Sequence, residues 1–548
     1  MTAVDLRAAR DDGAFGRDVA GSAGRAVIGL ALRQVRRGAA IVVVLVAGMS
    51  ALVAATYTGT VGDALDAAAL AALAGNPAIR TLFGTPVALD QAGGFTVWRT
   101  GTVLGVLLGI WGLLAATRTM RGEEDAGRWD LLAAGRLPVA AIVIRHVAVL
   151  AAVPLVAGVA AAGALTAAGT PPHGALLHGA GLALLGVHFV AAGALAAQLF
   201  PTRGAASGAA MALLGAGLLA RMLGDGVDAL GWLRWLSPFG LVALVQPYAA
   251  NRLLPLAVLA AVAAGLLGAA LVATRHRDLR GGWFAAPAGR TPRLWLLGSL
   301  SGFAARRLAG PLLGWAVGIA GYALLIGVVA VSITSFLADN TRFADLAAGA
   351  GFGGLGSVEG YVATMYALLA IPIGAFVAVR IGALAADETG RRLALLYAQP
   401  VTRNRLLTAE LAVTVAGAVL LALVAGLASW GGAARVGAPL GLGAALAGTV
   451  NVLPVALLSL GAAVLALGWL PRVVTLVGAL PTAGGFLWQV LADSTGAPGW
   501  VGRLSPFAHL APVPAQPPDG GAATAMLAVA TALTLLGALG YRRRDLRG

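Results

Sequence analysis

The chain has 548 residues, of which 59% are hydrophobic and only 11% are charged, and its mean hydropathy is +0.87. Soluble domains carry about 25% charged residues, so this composition excludes an ordinary soluble protein and predicts an all-α protein that crosses a membrane many times. The absence of cysteine excludes disulfides and cysteine-ligated metals, and we attribute the net charge of +15 to arginines on the cytoplasmic face and not to a nucleic-acid-binding surface.

Twelve apolar stretches are each long enough to cross a hydrocarbon layer about 30 Å thick. In chain order the predicted spans are 38–57, 97–117, 143–168, 174–200, 205–223, 253–274, 311–335, 360–382, 408–430, 438–468, 472–491 and 521–541. Most arginines then fall in segments on one side, which the positive-inside rule assigns to the cytoplasm. We therefore predict a multi-pass protein of the cell membrane, surrounded by lipid, with both termini cytoplasmic.

Three sequence marks occur twice in the same order. They are Glu124–Leu132 and Asp387–Leu396, Leu236–Phe239 and Leu504–Phe507, and Arg277–Arg280 and Arg544–Arg547, at offsets of 263, 268 and 267 residues. A nearly constant offset predicts two homologous six-span halves. The predicted organisation is a cytoplasmic tail (1–24), a first membrane half (25–280), a linker (281–293) and a second membrane half (294–548). Membrane proteins built from two parallel halves usually work by moving one half against the other around a substrate site between them.

Shorter elements are predicted at both ends of each half. Val27–Arg37 and Leu294–Leu308 mix apolar and arginine side chains, which is typical of amphipathic helices that lie in the membrane interface. Gly231–Arg252 and Trp500–Asp519 precede the last span of each half and contain prolines. Because proline interrupts a helix, short broken elements are expected there.

The loop after the second span of each half is the strongest candidate for function. Acidic residues come first, followed by apolar residues at the i, i+3, i+4 spacing of one helix face. This pattern predicts a short amphipathic helix with acidic residues at its start, ending towards Pro138 or Pro400 and able to dock in a groove of another protein. A helix that lies on the lipid surface is the alternative, but the recurrence of the pattern in both halves favours docking.

These residues resemble a known family. The acidic pair followed by Gly-Arg-Trp-Asp-Leu-Leu after the second span, and the Ser-Pro-Phe segment before the sixth, resemble the permeases of ABC exporters of the type-2 membrane-domain class. The fused twelve-span form is similar to the polyketide-antibiotic exporters of actinobacteria, of the tetronasin-resistance type. The resemblance implies a permease that exports hydrophobic or amphiphilic compounds such as antibiotics, drugs or lipids. It also implies that the loop helices couple the spans to a separate cytosolic ATPase, bound in two copies.

The resemblance assigns the coupling role to ten residues of the two loops. They are Glu123, Glu124, Gly127, Arg128, Trp129, Asp387, Glu388, Gly390, Arg391 and Arg392. The second copy departs from the motif, because Arg392-Leu393 stands where the first copy has Trp129-Asp130. The two sites are therefore expected to bind the ATPase unequally.

The permease itself is predicted to be no enzyme and to bind no cofactor. All 38 basic residues are arginine, so the chain cannot supply the lysine that a phosphate-binding P-loop requires. ATP and Mg²⁺ are expected on the partner ATPase. No cluster of Asp, Glu and His has the spacing of metal ligands, and no nucleophile and base are recognisable together.

A second transporter class also has twelve spans in two halves. The segment Gly382–Arg392 resembles the loop signature of major-facilitator transporters, although it has an extra alanine and no basic residue after the aspartate. The equivalent segment of the first half does not fit. A proton-coupled secondary multidrug transporter is therefore the alternative function.

Side chains within the spans give the remaining candidates. Glu410, Arg221 and Asp225 lie near predicted span ends, where snorkelling to the interface is expected, and His178 and His188 are expected to be packing residues. Methionine and aromatic side chains suit a deformable path for apolar substrates, with lipid-facing packing as the alternative. The substrate-path candidates are Trp111, Met211, Met222, Met365, Tyr366, Phe376, Phe486 and Trp488.

Overall fold

The computed structural model describes residues 3–60, 80–81, 84–135, 137–277, 281–284, 294–339, 356–390, 393, 396, 398–494 and 498–544. Within these ranges every regular element is helical. The chain divides into two compact units, Met1–Arg290 and Thr291–Gly548.

In its described residues the first unit contains six long helices and four short ones. In chain order they are α1 (Ala3–Thr60), α2 (Ala92–Thr117), α3 (Glu123–Asp125), α4 (Arg128–Ala133), α5 (Val139–Ala167), α6 (Pro172–Leu199), α7 (Arg203–Gly226), α8 (Leu233–Leu236), α9 (Pro238–Val245) and α10 (Leu254–Arg275). A π turn at Arg118–Gly122 joins α2 to α3, and a 3₁₀ turn at Asp228–Leu230 follows α7.

The second unit follows a similar order. The helices among its described residues are α11 (Leu300–Asp339), α12 (Val358–Thr389), α13 (Arg403–Arg435), α14 (Leu442–Val450), α15 (Leu453–Trp469), α16 (Val474–Ala479), α17 (Gly485–Ser494), α18 (Gly499–Gly502) and α19 (Gly520–Arg543). A π turn at Leu480–Gly484 joins α16 to α17, and Pro506–His509 forms a 3₁₀ turn.

Eleven helices among the described residues are long and apolar enough to cross a membrane, and each contains or overlaps one predicted span. The predicted span 472–491 falls on the consecutive segments α16, the π turn and α17. The prediction of an all-α protein with many membrane spans is therefore confirmed.

Among the eleven spans found in the described residues, the fourth span is the most enclosed one of each unit, and in the second unit it consists of α14 and α15. In the most apolar window of this span, 78% of the residues are buried in the first unit and 72% in the second. In the first unit, α5 and α6 approach closely where Gly158 faces Gly179, because a Cβ on either glycine would lie 2.3 Å from the backbone oxygen of the other. Small residues allow such close backbone approach in membrane helices.

Of the two predictions about shorter elements, one is wrong and the other is confirmed. The prediction of separate interfacial helices is wrong, because Val27–Arg37 lies within the continuous helix α1 and Leu300–Leu308 begins the continuous helix α11. Their apolar sides pack into their own units, with Val27 and Leu308 buried. The proline-containing segments are broken short elements, as the prolines predict.

Candidate functional site

The first loop, residues 118–138, begins as an extension of α2. The helix widens into the π turn and continues through α3. It ends at Gly127, whose φ of 73° lies in the left-handed region, and α4 begins at the next residue. Glycine adopts this conformation without the steric cost of a Cβ. Gly127 therefore separates the end of the second span from the short loop helix.

A buried ion-pair cluster attaches this loop to the end of the last span of its unit. The carboxylate of Glu124 accepts hydrogen bonds from Nη1 and Nη2 of Arg277 at 2.7 and 2.8 Å. Arg121 lies 3.3 Å from the same carboxylate and donates to the carbonyl oxygens of Ala197 and Gly281. The three charged side chains are at most 4% exposed. Two-point contacts between arginine and carboxylate combine strength with fixed geometry, so the loop and the end of α10 are held together.

Trp129 attaches the loop helix to the same unit. Its side chain is 1% exposed and belongs to a hydrophobic cluster that includes Met120 and Ile142. The indole N–H donates to the carbonyl oxygen of Thr119, in the π turn, at 3.1 Å. Trp129 and Glu124 are therefore internal anchors of the loop, and neither side chain presents a surface to a partner protein in this conformation.

The exposed surface of the first loop is formed by other residues. Arg128 is 59% exposed and pairs with Glu123 through two hydrogen bonds, which raise the pKa of the Arg128 guanidinium above its usual value. Leu131 in α4 is 79% exposed. Asp125 accepts a hydrogen bond of 2.8 Å from the backbone N–H of Arg203, where α7 begins. The surface that faces outward thus combines an ion pair with one large apolar side chain.

The second loop, residues 387–402, is attached in a related way. Glu388 pairs with Arg544, which also donates to the carbonyl oxygen of Leu467 at 3.0 Å. Arg544 follows α19 as Arg277 follows α10. Asp387 pairs with Arg307 of α11, the first span of the unit. In each unit, an acidic residue at the end of the second span therefore binds an arginine at the end of the last span.

The rest of the second loop is only partly described. Gly390 ends α12 with φ of −80°, so it lacks the left-handed conformation of Gly127. Arg391 and Arg392 lie outside the described residues, and so does most of the predicted loop helix. Leu393 is 3% exposed and packs in the core of the second unit, so an apolar side chain shortly after the glycine is buried in both loops.

The predicted position of the acidic residues within the helices is wrong. They were expected at the start of the loop helix, but Glu123 and Glu124 lie in α3, which continues α2, and Asp387 and Glu388 lie in the last turn of α12. Carboxylates at a helix C-terminus oppose the helix dipole. The arginines that pair with them offset this cost, and that pairing depends on residues distant in the sequence.

The charged residues within the spans are buried and paired, so the expected snorkelling is wrong. Glu410 is 1% exposed and pairs with Arg307 at 2.8 Å and with Arg380. Arg221 and Asp225, 3% and 4% exposed, form an i,i+4 ion pair at 2.6 Å. An uncompensated buried charge is costly, and these contacts provide compensation inside each unit.

The substrate-path candidates occupy different surroundings. Tyr366 and Phe376 are buried in the core of the second unit, where the Tyr366 hydroxyl lies 2.6 Å from that of Ser429. Phe486 packs on Phe507 with ring centroids 5.7 Å apart. The half-buried candidates of the set are Trp111, Met211, Met222, Met365 and Phe486, and Trp488 is 43% exposed. The path therefore stays a prediction for this set.

The Ser-Pro-Phe mark makes the same contact in both units. The Ser237 hydroxyl donates to the carbonyl oxygen of Gly217 at 2.6 Å, and the Ser505 hydroxyl donates to that of Gly485 at 2.9 Å. Each serine also caps the following turn by accepting a backbone N–H. The two glycines are 268 residues apart, as are the two serines. Both partners of this contact are therefore repeated in the second unit.

The charged clusters in both loops consist of carboxylates paired with arginines. In the part of the chain that the structure describes, no three His, Asp or Glu side chains could together hold a metal ion. What the arrangement provides is mechanical attachment of each loop to the spans of its own unit.

Comparisons with known proteins agree with this architecture. The family model described as "Multidrug efflux system permease Rv1217c, C-terminal domain" matches residues 25–275 and 297–542. The multidrug efflux system permease protein Rv1217c of Mycobacterium tuberculosis is 32% identical over 504 residues, which cover 88% of this chain and 87% of that protein. The matched segments include both loops and most of the described helices. The chain therefore belongs to the family of the multidrug efflux permease Rv1217c.

Proposed function

We propose that this chain is the membrane-spanning permease of an ATP-driven ABC exporter, of the type-2 membrane-domain class and the tetronasin-resistance type. It moves hydrophobic or amphiphilic compounds out of the cell across the plasma membrane. Both termini and both loops face the cytoplasm, where two copies of a separate ATPase subunit bind. The relative from M. tuberculosis is named as a multidrug efflux permease, which supports outward transport and a hydrophobic or amphiphilic class of substrate.

The attachment of each loop to the last span of its unit is the observation that carries the proposal. Glu124 binds Arg277 and Glu388 binds Arg544. When ATP closes the two ATPase subunits, a force applied to a loop passes through this ion pair to the last span, and through the continuous helix to the second span. Rigid attachment is needed because a flexible loop would absorb the movement.

The roles of the loop residues follow from their positions. Arg128 and Leu131 form the surface that meets the ATPase, whereas Glu124 and Trp129 hold that surface in place. Asp387 and Glu388 hold the second loop in the same manner. The partner binds ATP and Mg²⁺, since this chain has no lysine for a P-loop.

Reconstitution tests the proposal directly. The purified chain is placed in vesicles with and without the ATPase subunit that co-purifies with it, and efflux of a fluorescent amphiphile is measured. Efflux is expected only with the ATPase and ATP present. Efflux by the chain alone, driven by a pH difference and insensitive to ATP, would instead establish the proton-coupled secondary transporter that the Gly382–Arg392 segment resembles.

A further inference from the structure

The first unit contains a cavity of about 80 Å³ at the end that carries α9. It lies between α2, α6, α7 and α9 and the segment before α2. Thr85 and Ala243 at its rim are exposed, whereas His178 and Arg221 in its wall are buried. The cavity belongs to one unit and is separate from the two loops.

Two buried polar side chains in this wall have unsatisfied groups. His178 is 1% exposed, and neither of its ring nitrogens has a hydrogen-bond partner among the described residues. Arg221 is 3% exposed, and within the same residues its Nη1 has none either. A buried polar group without a partner is energetically costly, so such groups mark places where a ligand can supply the missing hydrogen bonds.

The charges around the cavity favour an anion. Asp225 lies 2.6 Å from Arg221 and 3.8 Å from Arg234, so one carboxylate is shared by two guanidinium groups. One positive charge is left over from these three residues. A ligand with a single negative charge balances it, whereas a dianion exceeds it.

The backbone keeps Arg221 in the wall. Gly84 has φ of 96°, and a Cβ at this position would lie 1.9 Å from Nη2 of Arg221. The indole N–H of Trp98 donates to the carbonyl oxygen of Gly84 at 2.9 Å, which holds the segment over the arginine. The position of Arg221 therefore depends on a close approach that only glycine permits.

Much of the rest of the wall is apolar, with Thr85, Thr102 and Gln246 as its other polar side chains, and the space is small. Val97, Leu185, Phe239 and Val242 line it, and about 80 Å³ admits roughly five to eight water-sized groups. We propose that this cavity binds the carboxylate end of an amphiphilic monocarboxylate, with Arg221 and His178 on the carboxylate and the apolar wall on the first carbon atoms. The site is independent of the proposed function, because its binding needs no ATP and no transport.

The second unit provides the residues for the test. At the repeat offset of 268, Leu446 stands where the first unit has His178, and Gln489 stands where it has Arg221. The second unit carries leucine and glutamine at these positions. His178→Leu and Arg221→Gln are therefore the matched variants, because each introduces the residue found at the corresponding position of the second unit. Arg252→Gln, at an exposed arginine near the same end of the unit, is the control.

The experiment measures equilibrium binding of radiolabelled octanoate to the full chain in lipid nanodiscs, with binding to empty nanodiscs subtracted. Unlabelled octanoate, octanol, octylamine and octyl phosphate compete as probes with one chain length and different head groups. Saturable binding is expected, with octanoate at least tenfold more effective than the other three. Each matched variant should weaken octanoate binding at least tenfold, and Arg252→Gln should not change it.

Several results would overturn the proposal. They are absence of saturable binding, equal competition by octanol, competition by octyl phosphate as strong as that by octanoate, or unchanged binding in both matched variants. If Arg221→Gln fails to fold, His178→Leu decides alone, because within the described residues the imidazole makes no hydrogen bond that the change would remove.

Discussion

Glu124 and Arg277 are 153 residues apart in the chain, yet they form a buried two-point ion pair, with N–O distances of 2.7 and 2.8 Å. The pair joins two of the sequence marks that occur twice. Glu388 and Arg544 join the corresponding marks in the second unit. The marks therefore recur together because they are the two sides of one contact.

Glu124→Gln should destabilise the protein strongly. The change leaves Arg121 and Arg277 buried without their carboxylate, and breaking one partner of a buried pair costs about 3–5 kcal/mol. The melting temperature in detergent should fall, and, under the proposed coupling to an ATPase subunit, stimulation of that subunit should be lost. Glu123→Gln is the control for the melting temperature alone, since its pair with the exposed Arg128 should contribute about 1 kcal/mol or less to stability. Equal effects of the two changes would contradict the role of the buried cluster.

Trp129→Ala and Trp129→Phe should separate packing from hydrogen bonding. Alanine leaves a cavity in the core beside Met120 and Ile142, at a cost of about 3–5 kcal/mol. Phenylalanine fills most of this space and mainly removes the bond to the Thr119 carbonyl, so about 1–3 kcal/mol is expected. Thermal unfolding checks this order, and a larger loss for phenylalanine than for alanine would refute it.

Leu131→Asp should weaken binding of the proposed ATPase and leave stability nearly unchanged, in contrast to the changes at Glu124 and Trp129. Leu131 is 79% exposed, so its replacement removes little packing and the melting temperature should stay within a few degrees of the original. If the loop binds the ATPase through this surface, co-purification of the ATPase should fall at least tenfold. Leu236→Asp, the same change at a leucine of α8 that is 70% exposed and lies outside both loops, is the matched control and should leave co-purification unchanged.

The spans and the broken segments could be predicted from the sequence, because hydropathy and proline act over neighbouring residues. The partners of Glu124, Glu410 and Asp387 could not, because each binds an arginine on another helix whose rotation depends on packing. The pairs Arg221–Asp225 and Arg121–Glu124 are exceptions, since i,i+4 and i,i+3 spacings on a helix are readable signs of an ion pair. In a chain with only 11% charged residues, acidic and arginine marks that recur in both halves were the available signal of a contact.

Glu410→Gln distinguishes a structural charge from a proton carrier. Glu410 pairs with Arg307 and Arg380, so the change should lower the melting temperature while the pH dependence of efflux stays the same. Arg380→Gln, which leaves the pair with Arg307, should have a smaller effect on stability. Loss of the response to a pH gradient in Glu410→Gln, with stability retained, would support proton coupling through this carboxylate instead.

Ser237→Ala and Ser505→Ala should have similar effects, because the two hydroxyls make equivalent contacts. Each change leaves the carbonyl of Gly217 or Gly485 without its hydroxyl donor and removes a cap from the next turn, at a cost of about 1–3 kcal/mol. Ser207→Ala is the control, because its hydroxyl bonds only within its own helix. Thermal unfolding of the three variants measures the differences. If only one of the two serine variants loses thermal stability, the expectation is wrong. The contact would then stabilise one unit and not the other, although its geometry is the same in both.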